Sequence, residues 1–171
     1  MHQPWASLLV AGIKRIEGRS WGADNCGSND FPGHGHLWIH AAAREPDPED
    51  VQAVEEQYRS LYSLDGVASA LTFPASYPTS ALLGCVDVAA VLPATSYRQA
   101  PGLSESERLE SESDFVFLCQ SPRRLLLPRA MAGQHKIWRL PGAKKAAAGL
   151  TAAAPPPPLA TDFRRLFLAG R

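Results

Sequence analysis

Two hydrophobic periods alternate along the chain, and the points where one gives way to the other mark its elements. Gln3 to Gly12 reads as a short helix, with Trp5, Leu8 and Leu9 at helical spacing toward a core. Pro4 suits its first turn and Gly12 the position just past its end. Ile13 to Trp21 then alternates loosely, as an extended segment does. Residues 22–35 are rich in Gly, Asn, Asp and Ser, a surface loop by composition. His36 to Ala41 is a strand, with Leu37 and Ile39 on one face and His36, Trp38 and His40 on the other.

The helical period returns after Pro46-Asp47-Pro48-Glu49-Asp50, an acidic helix start. Val51, Val54, Tyr58 and Leu61 then recur at spacings of three or four through about Tyr62. Tyr77-Pro78 predicts a turn before a buried strand, Ala81 to Val88. The acidic, Ser/Glu-rich stretch 99–114 has little reason to order itself and is expected to be a loop. Phe115 to Cys119 is a strand, Ser121-Pro122-Arg123-Arg124 a turn before Leu125 to Pro128, and His135 to Leu140 a closing strand. That last alternation puts Lys136, Trp138 and Leu140 on one face, and Ile137 and Arg139 on the other. Beyond Pro141 the sequence turns Ala- and Pro-rich, with four prolines at 155–158, so residues 143–171 are expected to be a largely flexible tail on a domain spanning 1–142. Asp162 to Leu168 forms either a terminal helix or a loose end. About five strands and two helices in irregular order predict the α+β class rather than alternating βαβ units.

Composition narrows the classes. With 171 residues, 45% hydrophobic and 20% charged, the chain is long enough for one real core. No apolar run approaches the ~20 residues of a membrane span, and Lys14-Arg15 interrupts any secretory h-region, so a nuclear or cytoplasmic protein is expected. Cys26, Cys85 and Cys119 lack CxxC spacing, and Cys85 and Cys119 sit in strand-like runs as buried thiols. His36 and His40 share a strand face but stand about 13 Å apart along it, too far for one zinc. His34 and His36 have no evident third ligand. No metal and no cofactor are expected.

The zero net charge hides a division. Residues 1–44 carry four cations and three anions, 45–114 three and thirteen, and 115–171 ten and one. An acidic flank thus adjoins a basic C-terminal portion, the distribution either of an electrostatically polar molecule or of charge blocks that simply solvate loops and tails.

Several runs together carry a family resemblance. Gln3-Pro4-Trp5-Ala6-Ser7-Leu8-Leu9 precedes Gly12-Ile13-Lys14-Arg15-Ile16-Glu17-Gly18-Arg19, which satisfies G-x-K-x-x-E-x-R. Leu37-Trp38-Ile39, Tyr77-Pro78, Leu82-Leu83-Gly84-Cys85-Val86-Asp87, Phe115-Val116-Phe117 and Lys136-Ile137-Trp138 follow in order. In these features, over roughly residues 1–140, the chain resembles the ASCH (activating signal cointegrator homology) family. The resemblance implies a small PUA-like β-barrel of about five to six strands with flanking helices, related to the RNA-binding domain of pseudouridine synthases and archaeosine transglycosylases. It also implies DNA or RNA binding beside the first helix, in a coactivator or ribosome-quality-control assembly whose protein subunits, a helicase complex among them, are further partners. No membrane partner is implied.

The candidate interface follows from the residues of the motif and the basic end. Lys14, Arg15 and Arg19 can hold phosphate oxygens at separated points, with Glu17 fixing their geometry or accepting from a base or sugar hydroxyl. Glu17 and Arg19 can equally form a salt bridge that only supports the barrel. Trp21 and Trp138 are candidate stacking platforms, whereas Trp5 is expected in the core. Lys136, Arg139, Lys144 and Lys145 form a basic stripe, or a merely solvated surface. Some small bacterial ASCH proteins are amidohydrolases acting on acetylated cytidine through a lysine and a threonine of this motif, with a glutamate from elsewhere. Here Glu17 stands at the threonine's place, and a carboxylate does not replace an alkoxide nucleophile. No enzyme is therefore expected. A protein-interaction domain, docking through residues 47–62 and 99–114, is the third reading.

Overall fold

A computed structural model describes residues 1–22, 34–141, 149–152 and 161–168. Helix α1 (Trp5–Ala11) is followed by β1 (Ile16–Arg19), β2 (Gly35–Ala41) and α2 (Pro48–Ser63). Next come β3 (Ala81–Pro93), the short helices α3 (Ala94–Arg98) and α4 (Glu105–Leu109), β4 (Phe115–Ala130), β5 (Leu150–Ala152) and α5 (Phe163–Leu168). The five strands make one sheet in the order β1-β4-β3-β2, with β5 also on β4, and each pairing is antiparallel. The α+β class and the barrel-like curvature expected from sequence are present. The sheet is open, however: among the described residues nothing pairs β1 with β2.

Helix boundaries follow local chemistry. Gly12 ends α1 in the left-handed region, at φ 78°, and its N–H donates to a carbonyl of the last turn. At the other end, Gln3 Oε1 accepts from the Ser7 N–H at 3.0 Å while Gln3 Nε2 donates to the Pro78 carbonyl at 2.7 Å. The Gln-Pro-Trp run therefore bolts α1 to the Tyr77-Pro78 turn. Asp47 caps α2 by accepting from the Glu49 N–H at 2.9 Å, and Pro48 occupies its first turn.

The sheet is covered on both faces. On one side α1 packs across β2, β3 and β4, burying Leu9 and Val10 against Ile39, Val86, Val88 and Phe117. On the other, Ile16, Val116 and Leu118 meet Tyr97 of α3, Leu103 and Phe163 of α5. A third cluster joins Leu8 and Ile13 to Val54, Tyr58 and Tyr62 of α2. Trp5 departs from expectation. It is 38% exposed, because α1 turns Ala6, Leu9 and Val10 to the sheet and Leu8 to α2, which leaves Trp5 on the side that neither covers.

The largest departures lie in β4. The expected turn at 121–124 is part of one 16-residue strand. Cys85 pairs with Arg123 and Asp87 with Gln120, so β4 holds one extra residue between them. Ser121, at φ 49°, sits in that bulge. Leu82 pairs with Arg129 and Gly84 with Arg124, which loops out further residues and leaves Leu126 and Leu127 exposed. A Cβ on Gly84 would lie 2.0 Å from the Arg123 carbonyl oxygen, so the two backbones approach this closely only over glycine. The expected strand 135–140 is absent; these residues are irregular, with Lys136 at φ 56°.

The expectation of a loop over the acidic stretch is also corrected. Residues 99–114 are ordered around α4, which carries a full capping box: Ser104 Oγ accepts from the Glu107 N–H and Glu107 reaches back to the Ser104 N–H. Within the expected tail, Thr151 pairs with Arg124 in the sheet and Phe163 is 0% exposed in the core. The prolines at 155–158, Lys144, Lys145, Cys26 and most of the loop 22–35 lie outside the described residues.

If Phe163 closes the core as described, Phe163→Ala should cost about 3–5 kcal/mol in urea unfolding. A loss below about 1 kcal/mol, the range of surface substitutions, would show that the segment does not dock.

Candidate functional site

The period-two alternation of β1 divides the motif between the two faces of the sheet. Glu17, paired with Phe117, and Arg19 share the α1 side with Trp21, whereas Ile16 points into the opposite cluster. On the α1 side Glu17 is almost buried and takes a cation on each oxygen. Arg19 Nη2 lies 2.5 Å from Oε1, and Lys14 Nζ lies 3.4 Å from Oε2. Lys14 Nζ also donates to the Ile16 carbonyl at 2.5 Å. The side chains of Lys14 and Glu17 are 8% and 9% exposed, that of Arg19 37%. The carboxylate thus compensates a buried ammonium, and the guanidinium it orients is the part that solvent reaches.

Trp21 extends this cluster. Its ring stands edge-on to Phe117, with centroids 5.5 Å apart and planes at 80°. The Arg19 guanidinium carbon and Lys136 Nζ each lie 5.9 Å from the Trp21 ring centre, within cation–π range. Lys14, Glu17, Arg19, Trp21 and Lys136 therefore form one contiguous group with a formal charge of +2. Half-buried Trp138 belongs elsewhere, its ring 6.4 Å from that of His40. With no strand at 135–140, the shared face expected for Lys136 and Trp138 is lost. Arg139 is exposed, and Lys144 and Lys145 lie outside the described residues.

Arg15 is corrected from an interface residue to an internal one. Its guanidinium pairs with Glu107, donates to the Thr161 carbonyl at 2.6 Å, and lies 4.5 Å over the Phe163 ring. Its own N–H donates to Glu110 Oε1 at 2.7 Å, as do the Ile16 N–H at 3.0 Å and the Tyr58 hydroxyl at 3.2 Å. Glu107 accepts in addition from Thr161 Oγ1 at 2.7 Å. Burial pushes the Glu110 carboxyl above its ordinary range, against the opposing pull of Lys14 and the two amides. The same burial, followed by the charge of Glu110, drives the Tyr58 phenol up.

Sequence reasoning passed over Glu107, Glu110, Thr161 and Phe163, and also a second polar group. Asp87 Oδ1 meets His36 Nδ1 and lies 2.6 Å from Arg123 Nη2, while Arg164 Nη2 lies 3.7 Å from Oδ2. His40 instead faces the Met131 carbonyl at 2.8 Å, so His36 and His40 serve different partners. Among the described residues no three His, Cys, Asp or Glu side chains converge as a metal site would require. A shallow depression lined by Thr161, Asp162, Arg165 and Leu166 lies over α5, apart from the Trp21 group.

A carboxyl whose folded pKa is raised stabilises the fold fully below its ordinary value, here 4.5, and that contribution is lost as pH rises through the folded value. The amide that replaces the carboxyl in Glu110→Gln does not titrate. The stability advantage of the parent over Glu110→Gln should therefore shrink between pH 4.5 and neutrality in urea unfolding. An advantage that stays flat or widens over that range would contradict this environment for Glu110.

Comparison with known proteins identifies relatives of the chain. Activating signal cointegrator 1 of Homo sapiens is 42% identical over 151 residues, which cover 85% of this chain and 23% of the relative. The Mus musculus protein of that name matches with the same identity and coverage. The chain thus spans about a quarter of the length of these curated relatives. No helix among the described residues is long and apolar enough to cross a membrane. The family model described as the ASCH domain matches residues 1–129, and the chain belongs to the ASCH domain family.

Proposed function

We propose that the chain is a noncatalytic nucleic-acid-binding module whose contact surface is the group Lys14–Glu17–Arg19–Trp21–Lys136. The observation that carries this reading is that the Arg19 guanidinium and Lys136 Nζ each lie 5.9 Å from the Trp21 ring centre. An aromatic ring with a guanidinium and an ammonium close to it suits an unpaired base whose neighbouring backbone phosphates those cations hold. Glu17 holds Arg19 in place and compensates Lys14, so the donors are ordered before the ligand arrives. Catalysis fits less well. Both Glu17 oxygens are engaged by cations, and Lys14 sits in an ion pair rather than beside a nucleophile. The names of the cointegrator relatives support a coactivator assembly for the module, with nuclear residence and contacts to other protein subunits.

Fluorescence anisotropy of single- and double-stranded DNA and RNA oligonucleotides at two salt concentrations tests this. Arg19→Gln and Lys136→Gln should each flatten the log–log salt slope by about 0.7–0.9. Trp21→Leu, checked for an unchanged fold by circular dichroism, should weaken single-strand binding by about 1–3 kcal/mol. Absence of binding to every oligonucleotide at low salt, or variants indistinguishable from the parent, would overturn the reading.

A further inference from the structure

The polar group around Asp87 lies on the other side of the sheet from Trp21. Val86 and Val88 point into the α1-side cluster, so Asp87 between them projects toward α5. Across the sheet it is paired with His36 on β2 and Gln120 on β4, and Arg123 follows three residues along that strand. Two guanidiniums and an imidazole thus converge on one carboxylate. One arginine is enough to balance Asp87. With His36 neutral the group still carries +1, and the described segments 120–130 and 161–168 around it hold five arginines against Asp162.

Two details set this group apart from a saturated ion pair. Arg123 Nη2 donates to Asp87 at 2.6 Å and also meets His36 Nδ1 at 2.9 Å, yet its Nε is shielded from solvent without an acceptor among the described residues. Arg164 stands 3.7 Å from Asp87, beyond hydrogen-bond length, and its side chain is 50% exposed. Asp87 therefore orients Arg123 and leaves most donors of the arginine forks for another anion. The backbone around them is fixed: the Arg164 N–H donates to Gln120 Oε1 at 3.4 Å, and Gly84 holds β3 against Arg123.

We infer that Arg123 and Arg164, with His36 at the rim, bind a phosphate group, supplied by the sugar–phosphate backbone of a nucleic acid. Guanidinium forks match phosphate oxygens bidentately, and Arg is the residue that does so in a partly desolvated site. The inference rests on the nucleic-acid reading above for the source of the phosphate, and adds a second anchoring point on the opposite face. It also gives a role to the arginines of β4 and α5, whereas Lys136 lies beside the motif.

The test records the arginine Nε–H region of 15N–1H spectra of the full chain during titration with inorganic phosphate, against chloride at matched ionic strength. Arg123→Lys assigns the Arg123 signal. Phosphate, and not chloride, should shift that signal, and Arg164→Gln should weaken the response at least about threefold while the remaining spectrum stays folded. With oligonucleotides, Arg164→Gln should flatten the salt slope by about 0.7–0.9. Equal shifts with both anions, or a response indifferent to Arg164→Gln, overturn the site. A phosphate-specific shift in a chain that binds no oligonucleotide supports the site and overturns its assignment to nucleic acid. Oligonucleotide binding without a phosphate-specific shift does the reverse. Arg19→Gln, which alters the Trp21 surface, should leave the phosphate response unchanged.

Discussion

The fold is organised around the requirement that charge carried into the interior must meet an opposite charge there. The segment leaving α1 buries Lys14, Arg15 and Glu17 within four residues. An uncompensated buried ion costs several kcal/mol, so each of these groups dictates what surrounds it. Glu17 answers Lys14 locally. Arg15 requires Glu107 and the Thr161 carbonyl, which come from α4 and from the segment before α5. One side chain thereby draws in two stretches, 99–114 and 161–168, that hydrophobic patterning alone leaves as loop and tail.

This explains which parts of the structure were legible from sequence. Helices α1 and α2, and the strands β2 and β3, rest on local periodicity and capping, and the residues announce them. The curvature of β4 rests on pairing: Ser121, Pro122 and Arg123 look like a turn, and only the register against Cys85 and Asp87 makes them a bulge. His135 to Leu140 shows the reverse case, an alternating run that finds no partner strand. A signal for α4 was present, since Ser104-x-x-Glu107 is a capping box, but the acidic composition of its surroundings obscured it. For the candidate site, Lys14, Glu17, Arg19, Trp21 and Lys136 were readable as chemistry. Arg15 lies before β1 and shares the parity of Glu17 and Arg19, so its inward turn is set by Glu107 and the Thr161 carbonyl rather than by strand alternation.

The two polar groups share one design. In each, a nearly buried carboxylate on a strand fixes a cation whose outer face solvent reaches: Glu17 with Arg19, and Asp87 with Arg123 and Arg164. The carboxylate lowers the local net charge but removes the side-chain disorder that a free arginine would lose on binding. Basicity measured by counting along the chain is therefore a poor guide to where an anion docks. Arg15 is as cationic as Arg19 and is turned entirely inward.

The most direct measurement of the central claim is the indole N–H spectrum of the full chain during titration with a single-stranded oligonucleotide. Trp21 should shift at concentrations that saturate binding, together with the side-chain signals of Arg19 and Lys136, while the Arg15 Nε–H signal stays in place. Saturable binding that leaves Trp21 unmoved, or that displaces Arg15 from Glu107, would contradict the division of the motif into a contact face and an internal one.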